Sequence, residues 1–260
     1  MQQNNNEYIY QAERQKQILN YVNEKKKVTV KELSDFFGVS KVTIRRDLNE
    51  LELRGLINKT HGGALSIDNG INIEIPYIKK AELYISEKKK IGMAAAQLIK
   101  NDEVIILDAG STTLEIARHI EKKRITVITN DLKIAVELAC KPNITLIITG
   151  GIVEKYVFTA IGSNTVEFIS KIHANKLFLG ADAISLEYGI TNRTLEEVAV
   201  KKAMIKAADQ VILVADHSKL DKKVFATICK IDDIDMIVID EMQENYKNLF
   251  KERDIKILIA

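Results

Sequence analysis

Cysteine is scarce in this 260-residue chain. Its two copies, Cys140 and Cys229, each sit in an apolar stretch, and no CxxC pair or Cys/His cluster has metal-site spacing. A disulfide-stapled secreted framework and a structural zinc module are thereby excluded, leaving a reduced, cytoplasmic chain for which no metal or cofactor is expected. Long hydrophobic runs are missing too, since none approaches the ~20 residues of a membrane span. The opening MQQNNNEYIYQAERQ has no charged segment followed by an apolar one, so neither a signal peptide nor a membrane partner is expected. Nor does one sign of charge dominate. Lys and Arg number 38 against 36 Asp and Glu, a net of +2, which excludes a histone-like polybasic binder if the charges are evenly spread.

They are not evenly spread. Met1–Leu65 carries 11 basic and 8 acidic residues, Ser66–Lys100 carries 6 and 4, and Asn101–Ala260 carries 21 and 24. The local balances of +3, +2 and −3 point to an anionic partner for the first part alone. A composition 46% hydrophobic and 28% charged supports a proper core and excludes disorder. The pattern divides the chain into a winged helix-turn-helix domain at 8–65, a linker at 66–85 containing Pro76, and a larger α/β domain with a mostly parallel sheet at 86–260.

Between Gln11 and Ala64 the apolar spacing is helical. Ile18, Leu19 and Val22 mark one helix, Val30–Leu33 begins a second that ends near Gly38, and Ser40 can cap a third. Val42, Ile44, Leu48 and Leu51 are expected to face the core, leaving Ser40, Lys41, Thr43, Arg45 and Arg46 at the outward amino-terminal end, where a recognition helix meets bases and phosphates. Asp47 is expected to pair with a neighbouring arginine. Beyond Gly55 a strand and a glycine turn read as a small β-wing, with Lys59 and His61 at its tip. A further helix begins at Ser86, and its Lys88–Lys90 run reads as a solvated face.

From Glu103 short apolar runs without alternation are separated by helices, the mark of a parallel sheet covered on both faces. Ligands bind such sheets beyond the carboxyl ends of the strands. Those ends carry Asp108-Ala109-Gly110-Ser111-Thr112-Thr113, Thr129-Asn130, Gly150-Gly151, Gly180-Ala181-Asp182 and Asp216-His217-Ser218-Lys219. Ser111, Thr112 and Thr113 open a helix whose amide groups attract an anion, and a phosphate fits best. Asp108 and Asp182 can accept from sugar hydroxyls, and Lys219 can bind the anionic group. The loop is neither GxxxxGK(S/T) nor GxGxxG, which speaks against ATP and NAD. His119 and His173 read as surface or partly buried residues, and His217 stays ambiguous.

Val28–Leu51, followed by Gly55-Leu56 and His61-Gly62-Gly63-Ala64, resembles the DeoR family of bacterial transcription regulators. The resemblance continues through Asp108–Thr113, Thr129-Asn130, Gly150-Gly151, Gly189-Ile190-Thr191 and Asp216-Ser218-Lys219, which look like motifs of that family's sensor domain. It implies a fold similar to ribose-5-phosphate isomerase and a repressor, homo-dimeric or homo-tetrameric, that binds operator double-stranded DNA and is released by a phosphorylated sugar. It also implies that catalysis is absent. The Gly180–Asp182 segment and the Glu196-Glu197 helix resemble parts of the isomerase site, but Leu179 stands where the isomerase has an Asp, and Gly189-Ile190-Thr191-Asn192 where it has a Lys before a glycine run. The alternative reading is a sugar-phosphate isomerase with a DNA-binding appendage.

Overall fold

A computed structural model of the chain describes residues 11–66, 77–120 and 124–260. Residues 8–10 of the expected first domain, and 67–76 of the expected linker with Pro76, lie outside the described residues. The chain forms two compact units, Met1–Lys79 and Lys80–Ala260.

The first unit runs α1 (Gln11–Lys25), β1 (Lys27–Thr29), α2 (Val30–Phe37), α3 (Lys41–Leu53), β2 (Ile57–Thr60) and β3 (Gly63–Ser66). Its helices start and stop for local reasons. Thr29 and Glu32 form a reciprocal capping box on α2, Gly38 ends α2 at φ 65°, and the Ser40 hydroxyl accepts from the Thr43 amide to cap α3. Ile18, Val22, Leu33, Ile44, Leu48, Leu51 and Ile57 make the core. The wing has a third strand that the sequence reading lacked, because β1 pairs with β3 to give the order β1-β3-β2.

Two expectations for α3 are corrected. Val42 does not face the core and is 72% exposed. It stands two positions before Ile44, which at 3.6 residues per turn is about 200° of rotation, so both cannot face inward. The buried stripe is Ile44, Asp47, Leu48 and Leu51. Asp47 pairs with no neighbouring arginine; it takes Arg14 of α1 in a forked contact at 2.7 and 3.2 Å, with Gln15 donating at 3.2 Å.

α4 (Tyr77–Glu82) carries the chain from one unit into the other. The second unit continues with α5 (Ile85–Gln97), β4 (Val104–Leu107), α6 (Ser111–His119), β5 (Ile125–Thr129), α7 (Leu132–Ala139) and β6 (Ile144–Ile148). Next come β7 (Ile152–Glu154), β8 (Thr159–Ile161), α8 (Ser163–Ser170), β9 (Ala174–Gly180), β10 (Ala183–Ser185) and β11 (Gly189–Asn192). It ends with α9 (Leu195–Ala207), β12 (Ala208–Val214), β13 (Ala226–Cys229), β14 (Met236–Ile239), α10 (Glu244–Glu252) and β15 (Lys256–Ile259). Seven strands form one parallel sheet in the order β15-β14-β12-β9-β4-β5-β6. The chain starts at β4, builds outward through β5 and β6, then returns to the other side of β4 with β9. The direction of winding therefore reverses between β4 and β9, the place where open α/β sheets leave a crevice. Two small antiparallel sheets, β10-β11-β13 and β7-β8, flank this one.

The Lys88–Lys90 expectation is also corrected. Lys89 and Lys90 are exposed, but Lys88 is 4% exposed and donates to the carbonyls of Leu83, at 2.6 Å, and Lys80. Burial pulls its pKa down to about 8. Among the described residues no helix is long and apolar enough to cross a membrane, and no cluster of His, Cys, Asp or Glu could hold a metal.

Gly92 sets how closely α5 approaches α6. A Cβ there would stand 2.5 Å from the Glu115 Cβ and 2.7 Å from its carbonyl carbon. Gly92→Ala is expected to displace α6 and cost about 1–3 kcal/mol in urea unfolding, the range for overpacking; unchanged stability would refute the close contact.

Candidate functional site

The amino-terminal end of α3 presents cations to solvent. Lys41, Arg45 and Arg46 are exposed on it, and Arg46 only loosely meets Glu50 at 3.6 Å. The Ser40 and Thr43 hydroxyls lie 2.9 Å apart and are occupied in the cap, so their first duty is to hold the helix start. Lys59 sits in β2 rather than at the wing tip, and its ammonium donates to Asn49 of α3 at 2.5 Å, tying wing to helix. His61 occupies the turn between β2 and β3 and is exposed.

In the second unit the winding reversal brings the ends of β4 and β9 together. Asp108, just after β4, donates its amide to the Phe178 carbonyl at 3.1 Å, and its Oδ2 accepts from the Gly180 amide at 2.9 Å and from the Lys201 ammonium. Lys201 donates again to the Gly180 carbonyl at 3.2 Å. Both side chains are buried, at 1% and 5% exposure. Burial alone would discharge Lys201, but Asp108, Glu197 and Asp182 outweigh it and hold the ammonium above its usual pKa. Asp108 is therefore committed within the protein, contrary to its expected role with sugar hydroxyls. Sequence reading missed Lys201, whose one signal is a lysine set among the apolar positions Val198, Val200 and Met204 of α9.

Beside this pair α6 begins at Gly110 with no side-chain cap. Ser111 and Thr112 are half-buried at the mouth. Thr113 is fully buried and its hydroxyl donates to the Gly110 carbonyl at 2.9 Å, so it is withdrawn from any ligand. The Gly110 amide donates to Asp131, a second residue that sequence reading missed. Asp131 caps α7 through the amides of Lys133 and Ile134, and burial pushes its carboxyl up to about 6. Thr129 and Asn130 are buried behind it. The Thr129 hydroxyl accepts the Asp131 amide, and the Asn130 amide donates to the Ala160 carbonyl at 3.0 Å. The Gly150 carbonyl accepts from Thr165 at 2.8 Å, and a Cβ on Gly151 would stand 2.1 Å from that hydroxyl. Thr129, Asn130, Gly150 and Gly151 thus hold the framework of the mouth.

Asp182, beyond β9, faces an excess of cations. Its Oδ1 pairs with Lys80 at 2.9 Å and its Oδ2 accepts the Arg193 amide at 3.3 Å. Burial would raise its pKa, but the charges of Lys80, Lys219 and Arg193 prevail and hold it at about 2. Burial lowers Lys219 against the pull of Asp216 and Asp182. Among the described residues neither the Arg193 Nε nor the Asp216 Oδ2, both buried, has a hydrogen-bond partner. Asp216 caps the short turn His217–Lys219. The ambiguity of His217 is resolved by Asp240, whose carboxylate lies 2.6 Å from Nδ1 and raises the imidazole above its ordinary pKa, with Tyr84 edge-on at 5.2 Å. Ser111 reaches the Lys80 carbonyl at 3.5 Å. The uncapped start of α6, Lys80, Asp182, Arg193 and Lys219 hence form one polar cluster at the sheet's carboxyl edge. His173 is remote from it, lining a cleft of about 330 Å³ with Lys202 and Lys206 at the amino-terminal edge.

The two places where the isomerase resemblance breaks off carry no acid or base. Leu179 is a buried core residue of β9, and Gly189–Asn192 is the buried strand β11, so neither place offers a proton-transfer group.

A family model described as DeoR-like helix-turn-helix domain matches residues 14–70, and one described as DeoR C terminal sensor domain matches residues 84–241. The chain is 35% identical to the HTH-type transcriptional regulator GolR of Listeria innocua, over 97% of this chain and 100% of that one. It is 34% identical to the HTH-type transcriptional repressor GlcR of Bacillus subtilis, over 97% of each. Among solved structures, ribose 5-phosphate isomerase A of Methanocaldococcus jannaschii shares 19% identity, with a TM-score of 0.38, over 51% of this chain and 53% of that one.

Lys201→Met keeps the volume and leaves the Asp108 carboxylate buried without its cation. The expected loss is about 3–5 kcal/mol in denaturant unfolding, the range for breaking a buried pair. A loss below about 1 kcal/mol would show that the pair does not hold the β4–β9 junction.

Proposed function

The chain belongs to the DeoR family of transcriptional regulators, and on that premise we propose that it is a cytoplasmic operator-binding repressor whose second unit responds to a phosphorylated sugar. The observation that carries the reading is the cation excess around Asp182 beside the uncapped start of α6. A phosphoryl group there would meet the α6 amides, Ser111, Thr112, Lys219 and Arg193, and supply the acceptor that Arg193 Nε lacks. Asp182, and the free oxygen of Asp216, suit sugar hydroxyls. That the Bacillus subtilis relative is a transcriptional repressor supports repression as the output.

In the first unit Lys41, Arg45 and Arg46 are assigned to bases and phosphates, with Lys59 and His61 on the backbone flanking the groove. A local charge of only +3 makes a single copy a weak non-specific binder at physiological salt, so a homo-dimer or homo-tetramer is the form that binds its operator.

Lys80 offers the route between the two functions. It lies outside both matched spans, on the chain that leads from the first unit, and its ammonium occupies Asp182. Its carbonyl is held by Ser111 and Lys88. A phosphoryl group competing for Lys80 and Ser111 would change the grip on this segment, and so bias the DNA-binding unit. By linkage, operator DNA must then weaken sugar-phosphate binding by the same factor that the sugar phosphate weakens operator binding.

Arg45→Ala and Arg46→Ala should each lower operator affinity at least tenfold in a gel shift, with the fold intact by circular dichroism; wild-type binding by both would refute α3 as the reading helix. Lys80→Met should keep operator affinity within about threefold while cutting the release caused by sugar phosphate at least tenfold. Calorimetry with and without operator checks the linkage, and equal sugar-phosphate affinities would sink the mechanism.

A further inference from the structure

Val42 is the apolar residue at the amino-terminal end of the reading face. On a 3.6-residue helix it shares the arc opposite Ile44 and Leu48 with Arg45, Arg46 and Asn49, all three exposed. Lys41, Arg45 and Arg46 would draw the phosphate backbone to this end. Asn49 already accepts from Lys59, and the Ser40 and Thr43 hydroxyls serve the cap. Val42 has no hydrogen bond to offer to a phosphate or a base edge, yet it stands where base edges arrive. In the major groove the apolar group at a base edge is the C5-methyl of thymine. Leu53 is as exposed, at 77%, but lies eleven residues on, about 16 Å along the axis and away from the end that enters the groove.

We propose that Val42 is a specificity-determining residue that packs on a thymine methyl group in the major groove of the operator. The inference rests on the operator-binding reading above. Its chemistry is a contact between two apolar surfaces that are both wet in the free molecules, so it discriminates thymine from uracil or cytosine without hydrogen bonds.

The test uses the full chain and an operator fragment selected by it from a random duplex library. Each thymine of the fragment is replaced in turn by deoxyuridine, which removes the methyl and keeps the pairing. Wild-type protein is expected to lose about fourfold in affinity at one position per half-site, equivalent to one buried methyl at ~0.8 kcal/mol. Val42→Ala should bind the thymine operator several-fold more weakly and be indifferent to that deoxyuridine. Because Val42 is exposed and Ala favours helix, the variant should melt at the wild-type temperature or slightly above. The proposal is overturned if no single deoxyuridine costs wild type more than twofold, or if Val42→Ala shows the same deoxyuridine penalty as wild type. Selection of no duplex at all would instead fell the operator-binding reading, and this inference with it.

Discussion

The buried ion pair of Asp108 and Lys201 closes the junction where the parallel sheet changes its direction of winding. β4 and β9 are neighbours in space but far apart in sequence, and α9 arrives later still. Asp108 gathers all three, since one carboxylate oxygen takes both the Gly180 amide and the Lys201 ammonium. Everything at the mouth hangs from this point. Ala109–Ser111 leave β4 on one side of it, and Ala181–Asp182 leave β9 on the other.

The charges around that junction are not balanced for stability alone. Lys88 is buried against backbone carbonyls, Lys219 is held in a place that disfavours its charge, and Arg193 and Asp216 each bury an atom that lacks a partner among the described residues. Unpaired buried groups are costly, and chains retain them where another molecule completes the set. The proposed effector, with an anionic end and a hydroxylated end, has the complementary form. In the first unit, among the described residues, no buried side-chain atom lacks a partner. The buried Asp47 carboxylate is fully engaged by Arg14 and Gln15, and exposed cations lie outward on α3.

Much of this was legible in the residues. Non-alternating apolar runs announced the parallel sheet, Gly38 and Ser40 announced the turn and cap of the helix pair, and the polar strand ends announced where the mouth would form. What escaped depended on partners distant in sequence. Lys88 and Lys201 look like ordinary solvated lysines until their carbonyls and carboxylate are folded around them. Thr113 and Thr129 look like available hydroxyls until burial consumes them. Lys80 fell in a span read as linker, where nothing local hints that its ammonium meets Asp182. Val42 reads as a core residue by its apolar side chain beside Ile44, although its angular position on the helix forbids it.

The wing carries a consequence for how the proposed reading helix would meet DNA. β1, which precedes α2, pairs with β3, which follows α3, and the Val30 amide donates to the Gly62 carbonyl at 2.8 Å. Gly63 makes this closure possible, because a Cβ there would stand 1.9 Å from the Val28 carbonyl oxygen. The two helices are thus held in a loop sealed at its base by a strand pair, and α3 cannot swing without tearing that pair. The proposed reading helix is therefore preorganised before a duplex would arrive. Association then spends little of its free energy on ordering the protein, and each base mismatch is felt as lost contact rather than absorbed by adjustment of the helix.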